Sequence, residues 1–438
     1  MSDHKLKNSD AKEQGEQVNK AAVLAMLVLA YTFNFIDRQI VGILAIPIKE
    51  DLGLSDGELG LMGGLAFALF YTSLGIPVAM LADRFNRSWI MTGALFVWSL
   101  MTAVCGFAQN FWQLFAARLG VGIGEAGGVA PAYSLISDYY PEERRARALS
   151  IYSIGIPVGS ALGIVFGGVI ATFLDWRIAF FAVGVAGLLL APIFKKVVKE
   201  PPRGQFDAQP KTAGKAPTFG EVFRMIASKP SFWGLSVGAA CSSMMGYGLF
   251  FWLPSFLVRS FEISILDASL AYGSLLLVGG TIGIYAGGVL ADRYGQKNKA
   301  LYARIPAIAF LATIPFYVVG IFSTNLVVAM TVLIVPTALG LAWLGPILSA
   351  IQHLVPGNMR ATASAIFLFI NNLLGIGLGT ALLGYLSDML ESTYGQESLR
   401  YSIFAGTIFY VAAALLFFIS SRFLERDWHR ASSVADTK

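Results

Sequence analysis

The chain has 438 residues, of which 56% are hydrophobic and 13% charged, with mean hydropathy +0.65 and formal net charge +5. Ordinary soluble domains carry about 25% charged residues, and a soluble chain of this length would split into two or three domains with polar surfaces. Too few polar residues are present to coat such surfaces, so the composition excludes that class and points to a polytopic membrane protein. Cys105 and Cys241 each lie in a long apolar run, which argues against a disulfide framework. His4, His353 and His429 are scattered, which argues against a metal site. No Gly-rich lysine loop marks a nucleotide site.

Residues 1–20 are polar and mixed in charge, unlike a secretory signal, and read as a tail. A span needs about 20 mostly apolar residues. Residues 21–47 supply the first, and the stretch NFIDRQIV at 34–41 carries Asp37 and Arg38 into it. The second is 59–82. The run 88–117 holds the third, turns at Gln109-Asn110 and enters the fourth, which continues to Tyr140. The fifth and sixth follow at 148–174 and 178–194. In the fifth, GIPVGSALGIVFGG (155–168) reads as close helix packing by small residues.

The stretch 195–229 is rich in Pro, Gly and Lys and reads as a linker. After it come spans at 230–258 and 268–291, two more within 305–359 broken near Ser323-Thr324-Asn325, and the last pair at 361–387 and 401–421. Residues 425–438 read as a second tail. The expectation is an all-α membrane protein with twelve transmembrane helices in two six-helix bundles, 21–194 and 230–424. Most of the 32 Lys and Arg fall in the tails, the linker and alternate loops. The opposite loops hold only Lys49, Arg177, Arg259 and Arg400. The positive-inside rule then makes both termini cytoplasmic.

The halves echo each other. Leu-Ala-Asp-Arg recurs at 81–84 and 290–293, and Pro-x-x-x-Arg-Ala at 141–146 and 356–361, in equivalent loops. The bundles are therefore expected to be pseudo-symmetric. The Gly-x-Leu-Ala-Asp-Arg-x-Gly pattern resembles the signature of the major facilitator superfamily. It is full in the second half (Gly288, Asp292, Arg293, Gly295) and degenerate in the first, where Ala79 and Asn86 replace glycines. RLGVGIGEAG (118–127) and LDWRIAFF (174–181) resemble further elements of that family. NFIDRQIV, PIKEDLGLSDGELG (47–60) and the Glu of GIGEAG resemble its Spinster branch, which includes lysolipid and sphingosine-phosphate transporters and has bacterial members.

That resemblance implies a latch on the cytoplasmic side. Asp83 would cap the start of the eleventh helix and Asp292, by the repeat, the start of the fifth, with Arg84, Arg145, Arg293 and Arg360 nearby. A carboxylate capping a helix start contributes roughly 0.3–1 kcal/mol when exposed and up to about 2 when partly buried. The arginines read equally well as solvated loop charges.

Four charges lie well inside spans: Asp37 and Arg38 in the first, Arg118 and Glu125 in the fourth. Such residues usually face a cavity and pair. At 1.5 Å per residue, Asp37 is roughly 25 Å from Lys20 and level with Arg118, while Glu125 lies nearer the cytoplasm. Asp37 and Arg38 point about 100° apart, so one is expected to line a cavity and the other to pair with a neighbouring helix. A buried carboxylate can carry a proton, which assigns proton coupling to Asp37 and Glu125. An arginine can hold an anionic head group, which assigns substrate binding to Arg38 and Arg118. A purely structural cluster is the third reading. The resemblance places helices one, four, seven and ten around the cavity. The seventh and tenth are aromatic and apolar, with Tyr247, Phe251 and Trp343 the candidate contacts there, and the eleventh adds Asn371.

The expected activity is proton-coupled secondary transport by alternating access. By resemblance the cargo is an amphipathic solute such as a lysolipid or sphingoid phosphate. Alternatives are transport of small organic anions or drugs, and a non-transporting ligand sensor. No catalytic residue, cofactor, metal or nucleic-acid partner is indicated. The resemblance implies a multi-pass protein of the bacterial inner membrane.

Overall fold

The computed structural model describes residues 19–203, 218–290, 293, 298–356 and 359–436. Regular structure among them is entirely helical. Ten stretches are long and apolar enough to cross a membrane. One of them, Thr362–Trp428, spans 67 residues and holds two antiparallel helices, which turn at Gly395 where φ is +56°. The fourth crossing is missing from the ten because it is broken at residues 126–128 into Phe111–Glu125 and Val129–Tyr139, of 15 and 11 residues. The described residues therefore make twelve crossings.

One face carries Lys20, where the first crossing starts, and Asp427, at the end of the last. Tyr140 donates its hydroxyl hydrogen to the carbonyl of Lys20 at 2.9 Å, and Lys229 Nζ donates to the carbonyl of Asp427 at 2.7 Å. We call this the terminal face and the opposite one the far face. The sixth helix ends at Val197, and residues 198–203 fold back over the first half. Glu200 accepts a 2.7 Å bond from buried Arg87, which also binds Asp138 at 2.5 Å. Arg203 donates to the carbonyls of Ala82 and Phe85.

The region read as a linker also contains a helix, Phe219–Ala227, begun by a Thr218/Glu221 capping box. The helix from Ile408 continues to Asp436 through the residues expected to be a tail.

Glycines set the packing of the first half. Gly155, Gly159, Gly163 and Gly167 recur every four residues along the fifth crossing and face the first. A Cβ at Gly163 would lie 2.8 Å from the Ile36 carbonyl oxygen, and one at Gly159 would overlap that of Thr32. This is the small-residue packing expected from the sequence. The fourth crossing is seated the same way. A Cβ at Gly122 would lie 2.5 Å from the Phe67 carbonyl, and one at Gly124 would overlap the Trp98 backbone. Overpacking a close site costs about 1–3 kcal/mol. Gly124→Ala is therefore expected to lower the thermal unfolding midpoint of the detergent-solubilised protein, while Gly75→Ala, inside a helix where a Cβ meets nothing within 4 Å, should not lower it and should raise it slightly.

Candidate functional site

The four charges inside the first half form two ion pairs between the first and fourth crossings. Arg118 Nη1 lies 3.4 Å from Asp37 Oδ2, and Arg38 Nε lies 2.7 Å from Glu125 Oε2. Asp37, Arg118 and Glu125 are almost wholly buried, and Arg38 retains 13% side-chain exposure. Thr102 of the third crossing donates to Asp37 Oδ1 at 2.8 Å.

The Asp37 and Arg38 side chains both bind the fourth crossing, but only Arg38 keeps some exposure, while Asp37 is enclosed. The reason is side-chain direction. In a helix the Cα–Cβ bond tilts toward the N-terminus. The long Arg38 side chain thus reaches back toward the terminal face, where Glu125 lies two turns below Arg118. The break at residues 126–128 leaves Glu125 as the last residue of its helix.

An aromatic cage surrounds Arg38. Its guanidinium carbon is 5.1, 4.7 and 4.6 Å from the ring centroids of Phe35, Phe67 and Tyr71. Among the described residues, Arg38 Nη2, Arg118 Nε, Glu125 Oε1 and the nearby Asn34 Oδ1 are buried polar atoms that make no hydrogen bond within the protein. Buried polar atoms are ordinarily satisfied, so this cluster has capacity for a proton, water or ligand. Sequence reading missed Phe35, Phe67, Tyr71, Thr102 and Asn34. Asn34 and Phe35 lie inside NFIDRQIV, where the charges drew attention away from them.

The candidates of the second half are more dispersed. Tyr247 is half-buried and within electrostatic reach of Arg38. Phe251 is buried and wedged between the halves: a Cβ at Gly63 would overlap its ring, and one at Gly42 would lie 3.1 Å from its carbonyl oxygen. It closes the far side. Trp343 is buried at a break in the tenth crossing between Leu341 and Leu344. Asn371 accepts from Ser243 at 2.8 Å and donates to Asn372 at 3.2 Å.

On the terminal face Arg84, Arg293 and Arg360 are exposed. The side chains of Asp83 and Arg145, and all of Asp292, lie outside the described residues.

A latch that the sequence did not suggest closes the far face. Asp56, 2% exposed, starts the second crossing. It is held by Arg259 of the seventh through bonds of 2.6 and 2.7 Å, by Lys49 at 2.8 Å and by Ser387 of the eleventh at 2.9 Å. In return Asp388 accepts from the backbone N–H groups of Asp56 and Gly57 at 2.9 and 2.7 Å, so a carboxylate caps a helix start. Below it the two backbones touch. A Cβ at Gly64 would lie 2.5 Å from the Ile376 carbonyl oxygen, and one at Gly60 would overlap that of Thr380. Among the described residues, hydrogen bonds and ion pairs of Asp56, Gly57 and Gly60 with Arg259, Thr380, Ser387 and Asp388 join the halves here, at the far face. A signal was present, since Ser55-x-x-Glu58 is a capping box that announces a helix start.

Comparison with known proteins places this geometry. Residues 27–380 match the model of the Major Facilitator Superfamily. An MFS-type efflux pump of Mycolicibacterium smegmatis is 33% identical over 93% of this chain and 94% of its own. Protein spinster homolog 1 of Xenopus tropicalis is 26% identical over 96% of this chain and 86% of its own. The crystal structure of a bacterial homolog of the human lysosomal transporter Spinster, inward-facing and unoccupied, superposes with TM-score 0.87 at 34% identity, covering 94% of this chain and 99% of that one.

Proposed function

The chain belongs to the Major Facilitator Superfamily, in its Spinster branch, and we propose that it is a proton-driven carrier of single-chain amphipathic anions. It is a multi-pass membrane transporter. The observation that carries the finer reading is the buried cluster of two carboxylates and two arginines with unsatisfied atoms on both kinds of group. A purely structural pair rarely offsets its own desolvation, and unpartnered atoms make it less favourable still.

The cycle follows from these residues. With both termini cytoplasmic, as the Lys and Arg distribution indicates, the far face is outside and the described state opens inward. A proton taken by Glu125 neutralises it and frees the Arg38 guanidinium. Arg38, held by three rings, then takes an anionic head group with its unpaired Nη2. Arg118 stays neutralised by Asp37, the second candidate proton carrier. The aromatic wall around Tyr247 faces the alkyl part, while Trp343 and Asn371 support that wall from buried positions. In the opposite state Asp83 and Asp292, with Arg84, Arg145, Arg293 and Arg360, close the terminal face. A bacterial inner membrane, with its proton gradient, is the setting this reading requires.

The efflux-pump relative favours export, and the second reading is transport of small organic anions or drugs. Purified protein in proteoliposomes separates the two. Uptake of labelled lysolipids that depends on both head-group charge and an imposed pH gradient is expected. Transport of compact drugs with no response to lysolipid competitors would sink the amphiphile reading.

A further inference from the structure

A small cavity lies beside the Arg38–Glu125 pair, between the first, third, fourth and fifth crossings. It measures about 10 Å³, and Asn34, Trp98, Gly128 and Tyr152 are among the residues that line it. One water molecule needs about 10–15 Å³ of such space. We propose that a single water binds here on Asn34 and relays the proton between Glu125 and the terminal face. The proposal rests on the reading above that Glu125 carries the proton.

The cavity is in the right place. Asn34 precedes Arg38 by four residues, so the two share one face of the first crossing. Gly128 and Val129 follow Glu125 by three and four residues on the fourth. The first crossing runs away from the terminal face and the fourth runs toward it, so both neighbours lie on the terminal-face side of the ion pair. Four residues rise about 6 Å, and one water with a hydrogen bond of about 2.8 Å on either side spans about 5.6 Å. Tyr31 and Tyr152, stacked at 4.4 Å, bound the cavity toward the terminal face. Tyr133, 43% exposed, meets the Tyr152 ring at 5.7 Å and is in electrostatic reach of Tyr71 on the second crossing, so it faces the middle of the bundle.

Two polar features call for water there. Asn34 is 2% exposed, and its Oδ1 makes no hydrogen bond among the described residues. Buried polar atoms are ordinarily paired with protein or ordered water. The second feature is the break in the fourth crossing. The N–H groups of Ala126, Gly127 and Gly128 turn back onto the carbonyls of Gly122, Gly124 and Glu125, and Pro131 has no N–H to give the Gly127 carbonyl. Non-helical backbone at membrane depth is tolerated where it is buried in protein or lines a water-filled cavity. The water donates one hydrogen to Asn34 Oδ1, which leaves a lone pair for Glu125 and its second hydrogen for the terminal face. The Glu125 O–H bond breaks as the water oxygen gains that proton. The water's second O–H then gives up its own proton to the aqueous side, and the water is restored. The charged groups around Glu125 are Arg38 and Asp37 of the first crossing and Arg118 of its own helix, with Tyr71 of the second and Tyr247 of the seventh beside Arg38.

Two variants test the relay from different helices. Asn34→Leu keeps the volume and removes the acceptor. Gly128→Ala puts a methyl group into the cavity. Gly128 has φ −86° and ψ −61°, and a Cβ there would lie 3.8 Å from the Trp98 ring, so alanine fits. In proteoliposomes each variant should lower the ratio of gradient-driven uptake to gradient-free exchange by about 10²-fold, the lower end of what a positioned proton transfer supplies. The remaining gradient-driven uptake should slow more in D2O than that of wild type, because proton transfer now limits it. Asn34→Ser keeps an oxygen, leaves room for water and should recover most of the ratio. Asn34→Leu should not lower the thermal unfolding midpoint, because Oδ1 has no bond within the protein to lose. A density map fine enough to show ordered water should place one within hydrogen-bond distance of Asn34 Oδ1. A dry cavity in that map overturns the relay alone. So do wild-type ratios in Asn34→Leu and Gly128→Ala when Glu125→Gln loses the gradient response. A Glu125→Gln protein that keeps the full gradient response overturns Glu125 as the carrier, and the relay falls with it.

Discussion

Replacing Glu125 by Gln is expected to remove the response of transport to a proton gradient and to leave the protein folded. Glu125 is wholly buried, and its single resolved partner is Arg38. Gln keeps the size and can still accept from Arg38 Nε, but it cannot exchange a proton. Losing one partner of a buried ion pair typically destabilises by about 3–5 kcal/mol. The lower end applies here, because Gln still accepts that bond and the rings of Phe35, Phe67 and Tyr71 continue to stabilise the cation. Cation–π contacts contribute about 0.5–1 kcal/mol each at exposed sites and more when desolvated. The gradient-driven component of uptake should fall at least about tenfold, a change of about 1.4 kcal/mol. Asp37→Asn is the necessary companion, because Asp37 is the other carboxylate in the cluster. Two variants that both keep the full wild-type response to an imposed pH gradient would remove proton transfer from this cluster.

Asp56→Ala should open the far face. The carboxylate is shared by Arg259, Lys49 and Ser387. Without it Arg259 and the partly exposed Lys49 lose the carboxylate that they share, and the Asp388 carboxylate is already held by the Asp56 and Gly57 N–H groups. The closed state loses about 3–5 kcal/mol, whereas an open state exposes both cations to water and loses little. At about 1.36 kcal/mol per decade, the closed-to-open ratio should fall roughly 10²- to 10⁴-fold. Spin labels at exposed Glu50 and Glu391, on opposite halves, would show the longer distance becoming the major population. An unchanged distance distribution would mean that the glycine contacts around Gly60 and Gly64 hold the face by themselves.

Much of this molecule is legible from residue order. Runs of apolar residues reveal crossings because an unsatisfied backbone in hydrocarbon leaves few alternatives to a helix. The Gly-x-x-x-Gly spacing of the fifth crossing announces close packing, and the structure has it. The break in the fourth crossing was less visible, since Gly127-Gly128 sits in an apolar run that reads as continuous. The short helix at Phe219–Ala227 was hidden by the Pro- and Lys-rich residues around it, although Thr218 and Glu221 marked its start.

The same division applies to the site. Sequence alone identified Asp37, Arg38, Arg118 and Glu125, because a charge in a membrane helix needs a reason wherever it sits. It also set the level of Asp37 with Arg118, through helix rise and the antiparallel order of the crossings. It could not assign Arg38 to Glu125, because that depends on how a long side chain leans along its own helix. Nor could it join Asp56 to Arg259, 203 residues apart. Composition and periodicity act within one helix and determine which residues enter the membrane. Partners are chosen by the packing of helices distant in sequence, and only the tertiary structure decides that.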